Sequence, residues 1–350
     1  MKTQYVGDIG DYGKYSLLRY IALHGIRIGV NWYLTDNDGS TDGKFTKYVE
    51  KDSEKVYDPV VFEELKNIVE QNEQSQRTVR MIQDANLIPE ALYFDKKVNS
   101  DKVIPMERAW DRRVWFEHST SVLKDTDLIF ADPDNGITYR KTSRNKGCEK
   151  YVFPEEIALY YYSGKDVVFY SHKGRRTDEA WERMILRIKE SVCDARLFVL
   201  TFHRGTQRSY IFVVHPERAE QYELLLAEFI SSSEWGRSGG FTREYLAEGS
   251  TDLTPDICRK WVVLYYFQKA FRTNKEIETA LKRMTIEQIE ELIDAGLMAK
   301  QYYYDARKRR GTGFAAPTIG TLYPKGSTIQ YKEDGRIMIV SPTENYTLSH

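Results

Sequence analysis

The sequence predicts an α/β protein: a Rossmann-like, mostly parallel sheet closed by an antiparallel hairpin, with a smaller α+β domain after it. Three observations carry this. Over the first 235 residues, short apolar runs alternate with amphipathic helical patterns, the order of a parallel sheet with crossover helices. Arg196 to His203 and Arg208 to His215 read as strands separated by only four residues, Arg204 to Gln207. That loop is too short for a parallel crossover, so the pair reads as a hairpin. After residue 255, three helical patterns precede a second hairpin signal around Glu333-Asp334-Gly335.

Composition bounds the function. The 350 residues suffice for two domains, or one large domain with an appendage. Hydrophobic content of 41% and charged content of 29% are ordinary for a globular chain and argue against disorder. A net charge of −1 gives no global field toward nucleic acid, so any such contact needs a local basic patch. Cys148, Cys193 and Cys258 are scattered and odd in number, which offers no disulfide framework and fits a cytoplasmic setting. No apolar leader follows Met1-Lys2-Thr3-Gln4, and no run is long enough for a membrane span. The 25 tyrosines fit both half-wet core edges and base stacking.

In chain order, Gly7-Asp8-Ile9-Gly10-Asp11-Tyr12-Gly13-Lys14 leads into a helix from Tyr12 to about Leu23, with Asp11 as its N-cap. The glycines permit close backbone approach, and Lys14 falls in the first turn, where a cation is disfavoured unless it has a role. Arg27 to Thr35 reads as the first strand. It runs into an acidic loop with Asp36, Asp38, Gly39 and Gly43, suited to a cofactor's hydroxyls or a cation but lacking EF-hand spacing. Helices are expected at Asp58 to Gln71, Pro105 to Leu123, from Pro154, at Asp178 to Cys193 and at Glu217 to Ser231. Short strands are expected at Ala91 to Phe94 and Asp166 to Ser171. The second of these strands ends in His172-Lys173-Gly174-Arg175-Arg176. Serines and glycines between Ser231 and Gly240 mark a boundary: a domain over 1–235, a linker over 236–254 and a second domain over 255–350.

The chain is organised around Leu128 to Ala131, a short apolar run that suits a buried parallel strand. It ends in Asp132-Pro133-Asp134-Asn135-Gly136, where Pro133 stops the ladder and Asn135-Gly136 turns the chain. Two carboxylates and a carboxamide thus sit at the carboxyl end of a central strand, where open α/β sheets bind ligands. Lys14, Asp36 and Asp132 are expected to face one cleft. Replacing Asp132 by Ala is expected to abolish activity at little cost in stability.

This order of elements resembles class I S-adenosylmethionine methyltransferases. Over residues 1–235 the chain resembles the bacterial 23S ribosomal RNA adenine-N6 methyltransferases and the related three-cysteine-motif partner proteins. The matching residues are Asp11, Lys14 and Leu17 before the first strand, Tyr33 to Gly43 after it, Asp132-Pro133-Asp134-Asn135 in place of the catalytic Asp-Pro-Pro-Tyr, and Arg208 to Val214 as the last strand. A closer resemblance is to a bacterial family opening Gly-Asp-x-Gly-Asp and containing Asp-Pro-Asp-Asn-Gly, which implies no particular activity. The glycine trio after the first strand is poorly matched, and the turn lacks the second proline and the aromatic that stacks on a flipped base.

The resemblance implies a methyltransferase-like enzyme acting on nucleic acid, DNA or RNA, with S-adenosylmethionine as cofactor. Asp132, Asp134, Asn135, Lys14 and His172 would line the reaction centre. Asp11, Asp36, Asp38, Gly39 and Gly43 would hold the cofactor, and Arg175 and Arg176 would bind phosphates. A second reading is a metal-dependent nuclease. The carboxylates Asp8, Asp11, Asp36, Asp38, Asp132 and Asp134 would bind Mg²⁺ with Lys173 or Arg175 alongside, and Pro133-Asp134…Ser171-His172-Lys173 partly resembles the PD-(D/E)xK signature. A non-catalytic nucleic-acid-binding protein on a degenerate scaffold is the third. The C-terminal helices and hairpin resemble a winged helix, whose loop Arg307-Lys308-Arg309-Arg310 is expected to contact phosphates.

Overall fold

The computed structural model describes residues 1–37, 43–98, 102–103, 105–141, 143, 145–246, 255, 259, 284–289, 328–331, 337–340 and 345–347. In chain order the first elements are α1 (Ile9–Leu23), β1 (Ile28–Asn31), α2 (Pro59–Gln71), α3 (Val79–Asp84), β2 (Leu92–Phe94), α4 (Pro105–Val122), β3 (Leu128–Ala131), α5 (Pro154–Tyr162) and β4 (Asp166–Ser171). They are followed by α6 (Asp178–Leu186), β5 (Arg196–Phe202), β6 (Arg208–Val214), α7 (Ala219–Ser232), α8 (Glu234–Arg237) and β7 (Phe241–Glu244).

These strands form one seven-stranded sheet in the order β2-β1-β3-β4-β6-β5-β7. β2, β1, β3 and β4 run parallel, and β6 lies antiparallel between β4 and β5. The expected hairpin therefore closes the parallel half. Side chains alternate across the sheet: Leu128 and Phe130 face one core with α1, α2 and α7, while Ile129 and Ala131 face another with α4, α5 and α6. A three-layer α/β/α architecture follows from that alternation.

Four boundaries differ from expectation. α6 stops at Leu186 rather than Cys193, and the chain goes on as a 3₁₀ turn over Arg187–Glu190. α1 begins at Ile9, and its N-cap is Asp8, whose Oδ1 accepts from Asp11 N (2.9 Å). The earlier acid satisfies the helix's open N–H group and leaves the Asp11 side chain for other partners. β1 stops at Asn31 rather than Thr35, because Tyr33 takes a φ of +43° and its N–H donates to Asn31 Oδ1 (3.2 Å). The sheet also runs past the composition boundary: residues 241–244, expected in a linker, are β7, paired antiparallel with β5.

Near the C-terminus, β8 (Thr328–Tyr331), β9 (Ile337–Val340) and β10 (Asn345–Thr347) form a separate antiparallel sheet in the order β10-β9-β8, which includes the expected hairpin pair. Thr285 and Gln288 exchange the bonds of a capping box, the start expected for the third helix. The rest of the winged-helix arrangement, with Arg307, Lys308, Arg309 and Arg310, lies outside the described residues.

Two glycines in α1 set how closely it meets the hairpin. A Cβ on Gly10 would lie 2.0 Å from the Arg208 guanidinium, and one on Gly13 would lie 2.4 Å from the ring of fully buried Phe202. A helix-interior Gly→Ala change ordinarily stabilises by about 1 kcal/mol. Here the Cβ meets a packed ring, and overpacking costs about 1–3 kcal/mol. Gly13→Ala is therefore expected to destabilise, by up to about 2 kcal/mol in urea unfolding. An unchanged or raised midpoint would show that α1 is not seated on Phe202 as described.

Candidate functional site

The carboxyl ends of β1, β3 and β4 meet the first turns of α1 at the point where the strand order reverses, between β1 and β3. There a cavity of about 460 Å³ is lined by Asp8, Gly10, Asp11 and Lys14 from α1 and its cap, by Gly43, Lys44 and Phe45, by Asp132, Pro133 and Asp134, and by Tyr170, Arg208 and Tyr210. That volume is in the range of small-molecule sites.

At its floor is a buried ionic cluster. Lys14 Nζ lies 2.7 Å from Asp11 Oδ1 and 2.8 Å from Asp132 Oδ2, over the faces of Tyr15 (4.8 Å) and Trp32 (5.6 Å). The other oxygen of Asp11 accepts from Gly7 N (3.1 Å). Around this triad, Arg208 Nη2 meets Asp8 Oδ2 (2.8 Å) and Lys2 Nζ meets Asp134 Oδ2 (3.2 Å). The Met1 amino group donates to the carbonyls of Asp132 (2.8 Å) and Tyr33 (3.1 Å).

Two carboxylates sharing one ammonium leave a surplus negative charge out of water. Burial pushes Asp11 up to about 6, against the pull of Lys14. Burial also opposes the charge on Lys14, but Asp11 and Asp132 together hold the ammonium well above the ordinary lysine value. Lys14 is the fixed charge of the cluster, and Asp11 is its titrating member.

The Asp-Pro-Asp-Asn-Gly turn is held in place from both sides. Asn135 N donates to Lys150 O (2.8 Å), and Val152 N donates to Gly136 O (3.1 Å). Gly136 has a φ of +78°, and a Cβ there would lie 2.3 Å from Ser171 Oγ, so only glycine lets the turn close on the end of β4. On the other side of β1, Glu156 accepts from Arg112 Nε (2.6 Å) and Nη2 (2.8 Å) and from Tyr33 Oη (3.2 Å), with Arg112 packed among the Tyr33, Trp115 and Phe153 rings. This buried brace fixes the chain leaving β1.

Of the residues singled out in the sequence, Asp11, Lys14, Gly43, Asp132 and Asp134 line the cavity. Asn135 anchors the turn. Asp36 does not join them: β1 has already ended, and the Asp36 side chain is exposed and paired with Lys97. The expected convergence of Lys14, Asp36 and Asp132 thus holds for the lysine and Asp132 alone. Asp38 and Gly39 lie outside the described residues. His172 follows β4 but is not in the lining; burial and the charge of Arg176 lower its pKa, with Asp134 opposing. Arg176 turns back onto the carbonyls of Lys173 (2.9 Å) and His172 (3.3 Å), while Arg175 is exposed.

Sequence reasoning missed Arg208, Tyr210, Tyr170, Lys2 and Phe45 as members of the site, and gave Asp8 only a metal-binding role. Asp8 was legible as a cap, three residues before Asp11 and preceded by a glycine. The alternation Arg208-Ser209-Tyr210 at a strand start was the signal for the other wall. The expectation that Asp132→Ala costs little stability is also corrected. Asp132 is 5% exposed and shares the Lys14 ammonium, so its loss leaves a buried cation half compensated.

The titration of Asp11 carries a prediction with a definite sign. Its folded value lies above the ordinary 3.8, so folding takes up a proton there. Its contribution to stability is fully present below about pH 4 and is lost as the pH rises through about 6. The stability of wild type relative to Asp11→Asn should therefore fall between pH 4 and pH 7, by up to about 3 kcal/mol. Urea unfolding of both proteins across that range measures it, and a pH-independent difference would contradict the assignment.

The chain matches no protein-family model and no curated protein.

Proposed function

We propose that the chain is a methyltransferase-like enzyme that uses S-adenosylmethionine to methylate an amino group of nucleic acid. The observation that carries this is the company Asp132-Pro133-Asp134 keeps. The turn opens on a strand-end cavity whose walls alternate carboxylates with Lys14 and Arg208. Such a lining suits a ligand that bears both a carboxylate and an ammonium. Two donors of lining residues, Arg208 Nη1 and Tyr210 Oη, are buried without a hydrogen-bond partner among the described residues, a condition that a ligand oxygen would relieve.

These residues fit the amino-acid end of S-adenosylmethionine: Arg208, Tyr210 and Lys14 toward its carboxylate, Asp132 and Asp11 toward its ammonium. The cofactor, when bound, supplies an electrophilic methyl group, which an amine nitrogen takes up with loss of its proton. The chain's own part is to orient and to hold charge. Pro133 and the bonds at Asn135 and Gly136 keep Asp134 at the cavity wall, where its carboxylate accepts N–H from the acceptor amine. Fixing the amine against the reacting carbon supplies most of the acceleration in such a transfer. The order of strands, with antiparallel β6 inserted between β4 and β5, is compatible with the same reading.

Metal-dependent hydrolysis is less well supported. Asp8, Asp11, Asp132 and Asp134 each face a basic side chain, so a hard divalent cation would have to displace Arg208, Lys14 or Lys2 to use them.

Calorimetry with S-adenosylmethionine and, separately, Mg²⁺ tests the proposal. The nucleoside cofactor should bind and the metal alone should not. Asp132→Asn, which keeps the shape and one acceptor, should lower methyl transfer to an oligonucleotide by about 10²–10³-fold while remaining folded by circular dichroism. Binding of Mg²⁺ but not S-adenosylmethionine would replace this reading with hydrolysis, and binding of neither would leave a non-catalytic scaffold.

A further inference from the structure

We propose that Phe45 is the ring on which the acceptor base stacks, in place of the aromatic missing from Asp132-Pro133-Asp134-Asn135. The proposal rests on the nucleic-acid acceptor of the preceding section. Four rings line the cavity: Tyr5, Phe45, Tyr170 and Tyr210. Tyr210 is buried, Tyr5 and Tyr170 are partly so, and Lys2 Nζ stands 5.6 Å from the Tyr5 ring centre. Phe45 is 56% exposed, on the same cavity as Asp132, Pro133 and Asp134.

A single exposed apolar side chain needs no explanation. This one is held at the mouth of a polar cavity. The Phe45 carbonyl accepts from Ile9 N (2.9 Å) at the start of α1. Two residues earlier, Gly43 has a φ of +78° and packs so tightly that a Cβ would lie 2.0 Å from the Gln4 carbonyl oxygen. On the far side, the edge of the Phe45 ring reaches 4.0 Å from the Cβ position of Gly205, in the turn between β5 and β6. The backbone beneath the ring is thus pinned to two elements, so a base stacking there pays little to order it. Lys44, exposed beside it and also in the lining, places an ammonium where the phosphate next to the base would run.

The test uses the full chain as wild type, Phe45→Ala and Phe45→Trp. A single-stranded oligonucleotide with 2-aminopurine as its fluorescent base reports stacking and affinity, and calorimetry reports S-adenosylmethionine affinity. Loss of one stacking ring should weaken oligonucleotide binding about 5- to 150-fold and remove the fluorescence change. Phe45→Trp should restore both, and Phe45→Ala should weaken the oligonucleotide by a larger factor than it weakens S-adenosylmethionine. Equal oligonucleotide affinity for wild type and Phe45→Ala, or no binding by wild type, overturns the inference. If Phe45→Ala weakens S-adenosylmethionine alone, the ring belongs to the cofactor: the inference falls and methyl transfer stands. If the oligonucleotide binds through Phe45 while S-adenosylmethionine does not bind, the inference stands and methyl transfer falls.

Discussion

The Lys14 ammonium, buried between Asp11 and Asp132, is the interaction on which the rest of the site depends. It ties the second turn of α1 to the exit of β3 across 118 residues of sequence. Three charges out of water are expensive, and breaking such a set by removing one member costs more than never having built it. The neighbouring features follow from keeping the set complete. Asp8 takes over the helix cap and so leaves Asp11 for the lysine. Gly10 and Gly13 let α1 lie against Arg208 and Phe202, which brings Lys14 within reach of β3. A buried ionic cluster is weak evidence for stability, but one at a strand-end cavity with a displaced carboxyl pKa is good evidence for a site.

The pairing around the triad also defines what can enter. Asp8 with Arg208, Asp11 and Asp132 with Lys14, and Asp134 with Lys2 form a closed pattern of alternating charge. A ligand of one sign entering this pattern leaves one of its members without a partner. A zwitterion exchanges partners on both sides and leaves none, which is why an amino-acid moiety suits these walls better than a bare cation. The same argument applies to any ligand bearing a carboxylate and an ammonium, so the methyl-transfer proposal draws on the Asp132-Pro133-Asp134 turn as well as on the charges.

Much of the sheet was legible in the sequence. Apolar runs such as Leu128 to Ala131 announce buried strands, and the four residues between Arg196–His203 and Arg208–His215 leave a hairpin as the economical connection. The Asp132 turn could be located because a strand must end where Pro133 and Asn135-Gly136 stand. What escaped was set by contacts distant in sequence. Nothing local at Arg208 reveals that it lies across Gly10, and nothing local at Asp36 reveals that β1 has ended five residues earlier. Tyr33 with its left-handed backbone, and its bond to Glu156, end the strand; a β-favouring run such as Asn-Trp-Tyr-Leu-Thr reads straight through that point. Composition likewise put residues 241–244 in a linker, because serines and glycines around Gly236 to Gly240 form a tight corner before β7 as readily as they form a linker.

The end of β1 also explains where the cavity lies. Glycines directly after a first strand let a ligand approach the backbone there. Here Trp32 and Tyr33 are fully buried at that position, and the Arg112–Glu156 pair clamps Tyr33. Space at the strand ends is therefore displaced toward α1 and the hairpin, and its walls come from β3, β4, β6 and the helix N-terminus. Two bulky rings follow β1, and the glycines of close approach stand in α1, at Gly10 and Gly13, where the helix meets the hairpin.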